Sequence, residues 1–226
     1  MTLIYHSSLH DAAAVLSPIV GTGVGAEVTP SVDFPVGKVG NCARFNNIAD
    51  WIKIPGAADG ITNILPNKGT FQGWMKPLFA DESTLKLSLF SFGDFALPGN
   101  FNCTKHNASN LNALALTYYD GAGVRHEQNV IADVWRAAWQ KGVWSFVKYT
   151  YDWTVPVSVH CCHLWSDGLE LPIVSWVQGE GYTGPPLTGP QTFPLDPQTI
   201  WLGTRSNHSY EGKVCWDEVQ VFDEVV

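Results

Sequence analysis

The chain has 226 residues, of which 15% are charged and 12% are aromatic, and its formal net charge is −8. Since roughly 25% of the residues in an average soluble domain are charged, the composition predicts a neutral and partly aromatic surface. The sequence contains no basic run that could follow nucleic-acid phosphates, and no apolar stretch near the roughly 18 residues that a membrane span needs. We therefore expect neither nucleic acid nor membrane insertion.

The start of the chain, M-T-L-I-Y-H at residues 1–6, has neither a cationic segment nor a sustained apolar run, so we expect no secretory signal. Residues 21–26 read G-T-G-V-G-A, which matches the dinucleotide-binding string G-x-G-x-x-A. Pro30 and Pro35 follow closely and are incompatible with the helix that such a phosphate cradle needs. The segment is therefore predicted to be a turn between strands.

Short runs rich in β-branched and aromatic residues follow one another along the chain, separated by Gly, Pro, Asn and Asp. We predict strands at 51–54, 70–75, 85–89, 111–118, 144–151, 157–165, 173–177, 199–203 and 213–222. Many short strands with turn residues between them predict an all-β sandwich or barrel. Strand signals continue on both sides of every Gly/Pro cluster, which favours a single domain over residues 1–226.

One segment departs from this strand pattern. Ile131, Val134, Trp135, Ala138 and Trp139 recur with the spacing of an amphipathic helix. We predict a short helix packed against a sheet there, and we expect at most one such helix in the chain.

Four segments in order carry a resemblance to a known family. They are G-K-V-G-N-C-A-R-F-N-N (37–47), G-T-F-Q-G-W-M-K-P (69–77), the strand and hairpin within 144–168, and the stretch 200–222. In this order they resemble the laminin-G-like (LamG) branch of the concanavalin A-like lectin/glucanase superfamily, over residues 37–226. The resemblance implies a jelly-roll sandwich of two antiparallel sheets, with residues 1–36 as an N-terminal strand and loop region and with the first and last strands close together.

Four residues within these segments are expected to serve the structure: Trp74, Gly168, Asp217 and Glu218. A carboxylate in an apolar strand is costly unless it accepts hydrogen bonds. Asp217 is therefore predicted to accept backbone or hydroxyl donors from neighbouring loops.

Glucanases of this superfamily place two carboxylates on one strand in the string E-x-D-x-E, so that both face the cleft. The chain lacks this string, and Glu218 is followed at the same-face positions by Gln220 and Phe222, so we expect no second carboxylate within reach of it. We therefore predict that the protein is not an enzyme. A divergent glycoside hydrolase, with its site assembled from separate strands, remains an alternative.

The chain has five cysteines, and we expect them to be reduced thiols: Cys42, Cys103, Cys161, Cys162 and Cys215. If any pair is bridged, the resemblance favours Cys42 with Cys215, because it places an early strand beside the last one. The run from His160 to His163 suggests a metal site, but neighbours in a strand point to opposite faces. Buried thiols are the preferred interpretation of that run.

Calcium is common in the superfamily and is the one cofactor left open. Five aspartates lie in turn contexts: Asp33, Asp50, Asp59, Asp94 and Asp167. No D-x-D-x-D-G loop gathers them, so turn formation is the default explanation and no ligands are assigned.

Aromatic side chains are the remaining indication of a ligand site. Trp153, Trp176 and Tyr182 fall near predicted strand ends, where a ring could stack on a sugar or anchor a protein. Most of the ten tryptophans should nevertheless lie in the core.

The leading hypothesis is a non-catalytic structural or binding module, exposed in several copies on a larger assembly such as a phage or virus particle. Its partners would be protein subunits. A protein made in the cytoplasm without a signal could reach the virion or extracellular surface through lysis. The alternative is a lectin-like protein that binds glycans.

Overall fold

The computed structural model describes residues 1–79, 86–95, 97–105, 113–130, 132–173, 188–193, 198–208, 210 and 212–225. These residues form two large antiparallel sheets, a small hairpin and two short helices. The predicted all-β sandwich is confirmed.

Sheet A joins segments from both ends of the chain. Its strands in spatial order are β1 (Leu3–Ser7), β16 (Val214–Phe222), β7 (Lys68–Pro77), β12 (Ser145–Asp152), β13 (Cys162–Ser166) and β14 (Leu169–Glu170). A further strand, β3 (Ala43–Phe45), also pairs with β16.

Sheet B is built mainly from the middle of the chain. Its strands in spatial order are β11 (Arg125–Val130), β10 (Leu114–Tyr119), β9 (Phe101–Lys105), β8 (Leu87–Phe92), β15 (Ile200–Leu202), β4 (Ile52–Ile54) and β2 (Glu27–Val28). The hairpin consists of β5 (Ala57–Ala58) and β6 (Ile61–Thr62).

Aromatic rings from the two sheets meet in the core between them. Phe71 of β7 stacks on Phe90 of β8 with ring centroids 4.7 Å apart, and Trp216 of β16 meets Phe71 edge-on at 5.5 Å. The indole N–H of Trp216 donates to the carbonyl of Leu89 at 3.1 Å. Each buried aromatic ring removes about 150–250 Å² from water, so these contacts hold the sheets face to face.

The predicted helix is present as α2 (Ala132–Ala138), with Trp135 and the adjoining Trp139 both buried. The other helix, α1 (Ala12–Leu16), begins after Asp11, whose carboxylate accepts the N–H of Ala14 at 2.8 Å. It is a second short helix in addition to the predicted one, and its five residues are too few to show a helical period in the sequence. Neither of these helices has the length and apolar character to cross a membrane.

The first and last strands are neighbours, as the resemblance implied. β1 runs antiparallel to β16, with Leu3 opposite Phe222 and Ser7 opposite Val219. The N–H of Thr2 donates to Asp223 Oδ1 at 2.6 Å. Strand pairing and this hydrogen bond therefore hold the first and last strands together.

Candidate functional site

A polar groove lies on the face of sheet B that is turned away from sheet A. In β9, Phe101 and Cys103 belong to the core, so Asn102 and Thr104 project to the opposite face. The register places Thr117 of β10 beside Asn102 on one side and Glu127 of β11 on the other. Short polar side chains from three adjacent strands therefore form one floor.

Loop residues close this floor into a pocket of about 100 Å³, which we call the sheet-B groove. Its lining consists of Lys86, Phe95, Asn102, Thr104, Thr117, Tyr119, Arg125, Arg205 and Tyr210. The lining contains three cationic side chains and, among the residues described, no carboxylate.

The floor contains buried hydrogen-bonding atoms that have no partner among the described residues. Asn102 donates through Nδ2 to Asn100 Oδ1 at 2.6 Å, while its own Oδ1 is buried without a partner among the described residues. The Oδ1 atom of Asn129 in β11 is likewise buried without a hydrogen-bond partner among the described residues. Because buried polar atoms are nearly always paired, these oxygens indicate a place where a ligand hydroxyl or water donates.

Glu127 is the carboxylate next to the floor, and it is fully engaged. It forms an ion pair with Arg125 and accepts from Thr117 Oγ1 and from Asn129 Nδ2, both at 3.3 Å. A retaining glycosidase needs a second carboxyl group about 5–5.5 Å away. The described part of the groove lining supplies none. Through its three contacts Glu127 is a fixed acceptor that orders its neighbours.

An aromatic and cationic wall borders the floor. The Arg205 guanidinium lies 3.8 Å from the ring centroids of both Phe95 and Tyr210. Burial lowers the pKa of Arg205, and the contact with Tyr210 acts in the opposite direction. The N–H of Phe95 donates to Ser206 Oγ at 2.6 Å, which ties the two loops of the wall together. The wall is therefore ordered before any ligand binds.

No protein-family model and no curated protein sequence matches this chain. Among solved structures, it is similar to the binding domain of Paraclostridial Mosquitocidal Protein 1, with 12% identity, a TM-score of 0.59, and coverage of 99% of this chain and 49% of that one. The binding domain of botulinum neurotoxin DC in complex with SialylT gives 11% identity, a TM-score of 0.63, and coverages of 99% and 48%.

The same botulinum neurotoxin DC domain in complex with rat synaptotagmin II gives 11% identity and a TM-score of 0.61, again over 99% and 48% of the two chains. The fold of the present chain thus resembles that of toxin binding domains. At these identities the likeness shows the fold alone, and the chain spans about half the length of each of these structures.

Trp153, one of the aromatic residues predicted to bind a ligand, does not line the groove. Trp153 is only 3% exposed and stacks on Tyr118 with centroids 4.3 Å apart. Gln191 donates its N–H to the carbonyl of Trp153 at 2.7 Å, so a later segment covers this residue. The prediction for Trp153 is corrected: its ring belongs to the core. Trp176 and Tyr182 lie outside the described residues.

Asp217 has the predicted structural environment. It is fully buried, and its Oδ2 accepts the backbone N–H groups of Lys38 and Val39, both at 2.8 Å. Burial raises the pKa of Asp217, and these two hydrogen bonds act in the opposite direction. The carboxylate thereby fixes the turn that begins at Gly37 against β16.

Trp74 and Gly168, which were also expected to serve the structure, lie in β7 and in the turn between β13 and β14. Trp74 meets Phe146 edge-on at 5.2 Å across β7 and β12, and the Lys38 ammonium lies 4.6 Å from its ring. Gly168 occupies the turn between β13 and β14 with φ +82°, a conformation that favours glycine.

Glu218 does not follow the unbroken alternation expected from the sequence. Its φ of +51° marks a bulge, and the core side chains of Trp216 and Val219 are three positions apart instead of two. The bulge brings Glu218 and Asp217 together, so the expectation that no second carboxylate lies near Glu218 is wrong. Asp217 is buried beneath the turn, so a sugar ring cannot reach its carboxylate.

Cys42 and Cys215 are neighbours, as the resemblance suggested, but they are free thiols hydrogen-bonded to each other. Donation from Cys42 lowers the pKa of Cys215, and Lys76 and Arg44 act in the same direction against the effect of burial. The same contact raises the pKa of Cys42.

The cysteines of the run 160–163 are buried thiols, as expected. Burial raises the pKa of Cys161 to about 12, and Cys162 Sγ accepts from the Tyr149 hydroxyl at 3.0 Å. His163 instead pairs with Glu170 at 2.6 Å on the surface.

The aspartates considered for calcium serve local structure. Asp33 pairs with Arg44, Asp50 accepts the N–H groups of Asn46 and Asn47, and Asp167 accepts the N–H of Phe146 at 2.8 Å. Asp59 has φ +51° in a turn, and the Asp94 carbonyl accepts from Leu97.

Proposed function

We propose that this chain is a non-catalytic binding module whose sheet-B groove binds carbohydrate. The observation that carries the proposal is that Asn102 Oδ1 has no hydrogen-bond partner among the described residues. It lies beside the wall in which Arg205 stacks on Phe95 and Tyr210. A sugar presents hydroxyl groups at its edge and C–H groups on its faces. A site with fixed polar groups beside aromatic rings matches both.

The charges of the lining favour an acidic sugar. Lys86, Arg125 and Arg205 line the groove, and the ion pair with Glu127 offsets one of these three charges, although the chain as a whole has a net charge of −8. An arginine recognises a carboxylate with charge-assisted, planar hydrogen bonds. The pocket is small beside typical ligand sites of about 300–1,000 Å³, which suits one terminal sugar rather than a long polymer.

The similar structures support a binding role. Botulinum neurotoxin DC has its binding domain in complex with SialylT in one structure and with rat synaptotagmin II in another. We extend to this chain only the use of the fold as a glycan-binding or receptor-binding module. Glu127 is committed to three donors, which supports binding over hydrolysis.

A glycan array tests the proposal. Labelled full-length protein should bind a set of acidic glycans in preference to their neutral counterparts. Asn102→Ala should abolish this binding, whereas Lys148→Ala should not, because Lys148 lies on sheet A over Trp165 at 4.4 Å. A blank array with folded wild-type protein would refute the carbohydrate proposal.

We also propose that the module is displayed in several copies on a larger assembly, such as a phage or virus particle. Val36, Val157 and Leu169 are 79%, 71% and 72% exposed and offer apolar contacts to such subunits. Native mass measurement from the source should show a large complex; a free monomer would refute this.

Membership in the concanavalin A-like superfamily, in its LamG branch, is likewise a proposal. The two-sheet sandwich and the pairing of β1 with β16 support it. One domain over residues 1–226 is part of the same proposal.

A further inference from the structure

The bulge in β16 gathers metal-ligating side chains at the junction with β1, on the opposite sheet from the groove. Ligand atoms of His10, Asp217 and Glu218 all lie within 4.8 Å of one another. His10 Nε2 is 3.5 Å from Glu218 Oε1, and His6 Nε2 is 2.6 Å from Glu218 Oε2. Two imidazoles and two carboxylates from distant parts of the sequence therefore meet here.

The cluster contains buried polar atoms that lack a partner. Asp217 is fully buried, and its Oδ2 is occupied by two backbone N–H groups. Its Oδ1 has no hydrogen-bond partner within the described chain, and neither has the buried Nε2 atom of His10. An unpaired buried carboxylate oxygen is costly, and a bound cation would remove that cost.

We propose that this cluster binds a divalent transition-metal ion of the zinc type. His10 Nε2, Glu218 Oε1 and Asp217 Oδ1 would be the three protein ligands, with water in the fourth position. Two ligands each about 2.0–2.1 Å from a tetrahedral ion lie about 3.3–3.4 Å apart, close to the separation between His10 and Glu218. The imidazole ligand favours zinc over calcium or magnesium, which take oxygen ligands.

His6 has a supporting role in this site. Its Nε2 contacts the second oxygen of Glu218, so it can donate a hydrogen bond that orients the ligand carboxylate. His6 is therefore a positioning residue rather than a ligand.

The turn over the cluster is shaped to keep the ligands close. A Cβ atom on Gly40 would lie 2.9 Å from both Cε1 and Nε2 of His10, and one on Gly37 would lie 2.6 Å from Asp217 Oδ2. Gly37 donates its N–H to the Gly40 carbonyl at 2.7 Å, which closes the turn. A metal ion here would join residues 6–10, the turn and β16.

Calorimetric titration of chelator-treated, full-length protein with Zn²⁺, and separately with Ca²⁺, tests the site. We expect one Zn²⁺ per chain, a higher melting temperature with Zn²⁺, and no comparable effect of Ca²⁺. His10→Ala should lose saturable Zn²⁺ binding, and His6→Ala should weaken it about 10- to 100-fold. The matched control is His163→Ala, which removes a surface histidine paired with Glu170 and should bind like wild type.

Circular dichroism of each metal-free variant establishes that it is folded. Absence of saturable Zn²⁺ binding by wild-type protein would overturn the proposal. Equal Zn²⁺ affinity of folded His10→Ala and wild type would also overturn it. The groove proposal would survive either result, because its residues lie on the other sheet.

Discussion

The Arg205 guanidinium lies 3.8 Å from the centroid of the Tyr210 ring, with Phe95 on its other side. This stacking holds a cation at the edge of a pocket whose floor is made of amides and hydroxyls. A cation–π contact contributes about 0.5–2 kcal/mol, and the Arg205 Nε–H also donates to Asn207 Oδ1 at 3.0 Å, so the guanidinium is held in place at the rim of the groove. The pair therefore combines a structural contact with a recognition surface.

Arg205→Ala should weaken binding of an acidic glycan by at least about tenfold, which corresponds to about 1.4 kcal/mol. The loss follows because both the cation and the spacing of the wall disappear. Titration calorimetry with a glycan identified on the array measures the change. Arg205→Lys keeps the charge but not the planar geometry, so it should recover only part of the affinity. Unchanged affinity in both variants would contradict the role of the wall.

Trp153→Ala should lower the free energy of unfolding by about 3–5 kcal/mol, because the variant removes a buried ring and leaves a cavity. Urea denaturation measures this effect. Trp165→Ala is the matched control: its ring is half-buried on sheet A, so the loss should be smaller. A stable Trp153→Ala variant with impaired glycan binding would instead restore the original ligand prediction.

Asp217→Asn tests the cost of the buried carboxylate in metal-free protein. Burial raises the pKa of Asp217 in the folded state, so folded protein holds the proton more strongly than unfolded protein does. Stability contributed by this group is therefore lost as pH rises from its ordinary value, about 3.9, through its raised value. Asparagine retains the acceptor for Lys38 and Val39 but does not titrate.

We expect the stability of Asp217→Asn relative to wild type to increase across that pH window and then level off. Chemical denaturation at a series of pH values, in the presence of a chelator, measures it. A difference that does not change with pH would show that Asp217 does not carry the expected burial penalty.

Mild oxidation should join Cys42 to Cys215. The thiols already contact each other, and the lowered pKa of Cys215 favours the thiolate that begins disulfide formation. Peptide mapping by mass spectrometry should find this bridge, and the oxidised protein should gain about 2–4 kcal/mol of stability. Cys42→Ser should remove both effects; an unbridged pair after exhaustive oxidation would refute the prediction.

Gly40→Ala should destabilise the turn by about 1–2 kcal/mol, since Gly40 has φ +70° and its missing side chain leaves room for His10. If the metal site exists, the same variant should also weaken Zn²⁺ binding. Gly123→Ala has a similar φ of +75° with no atom near its Cβ, so it controls for backbone strain alone. Identical Zn²⁺ affinities for the two variants would argue against the turn's role.

The sandwich could be predicted from the sequence because the strands that form its centre show their period. The run at 70–75 lies within β7, and the runs at 144–151 and 213–222 match β12 and β16 to within one residue at each end. By contrast, β11 reads R-H-E-Q-N-V and was missed. Its polar side chains, among them Arg125 and Glu127, line or support the groove. Because these polar residues replace the apolar–polar alternation of an ordinary strand, the strand could not be recognised from the sequence.

The two proposed sites were not predictable, for physical reasons that differ. In the groove, Asn102, Thr117 and Arg205 meet only through strand register and loop packing, which a single sequence does not reveal. In the cluster, the bulge at Glu218 reverses the expected alternation without a glycine to mark it. A positive φ at glutamate is rare, so alternation was the reasonable expectation.

The adjacency of Thr2 and Asp223 has a consequence for protein engineering. Because these two positions are in hydrogen-bond contact, the whole sandwich can be inserted into a surface loop of a host protein without forcing the loop ends apart. The same adjacency would allow a few linker residues to join the ends, with new termini opened at an exposed turn such as that at Gly123. A library of such rearranged chains would show which strands must be continuous for the sandwich to assemble.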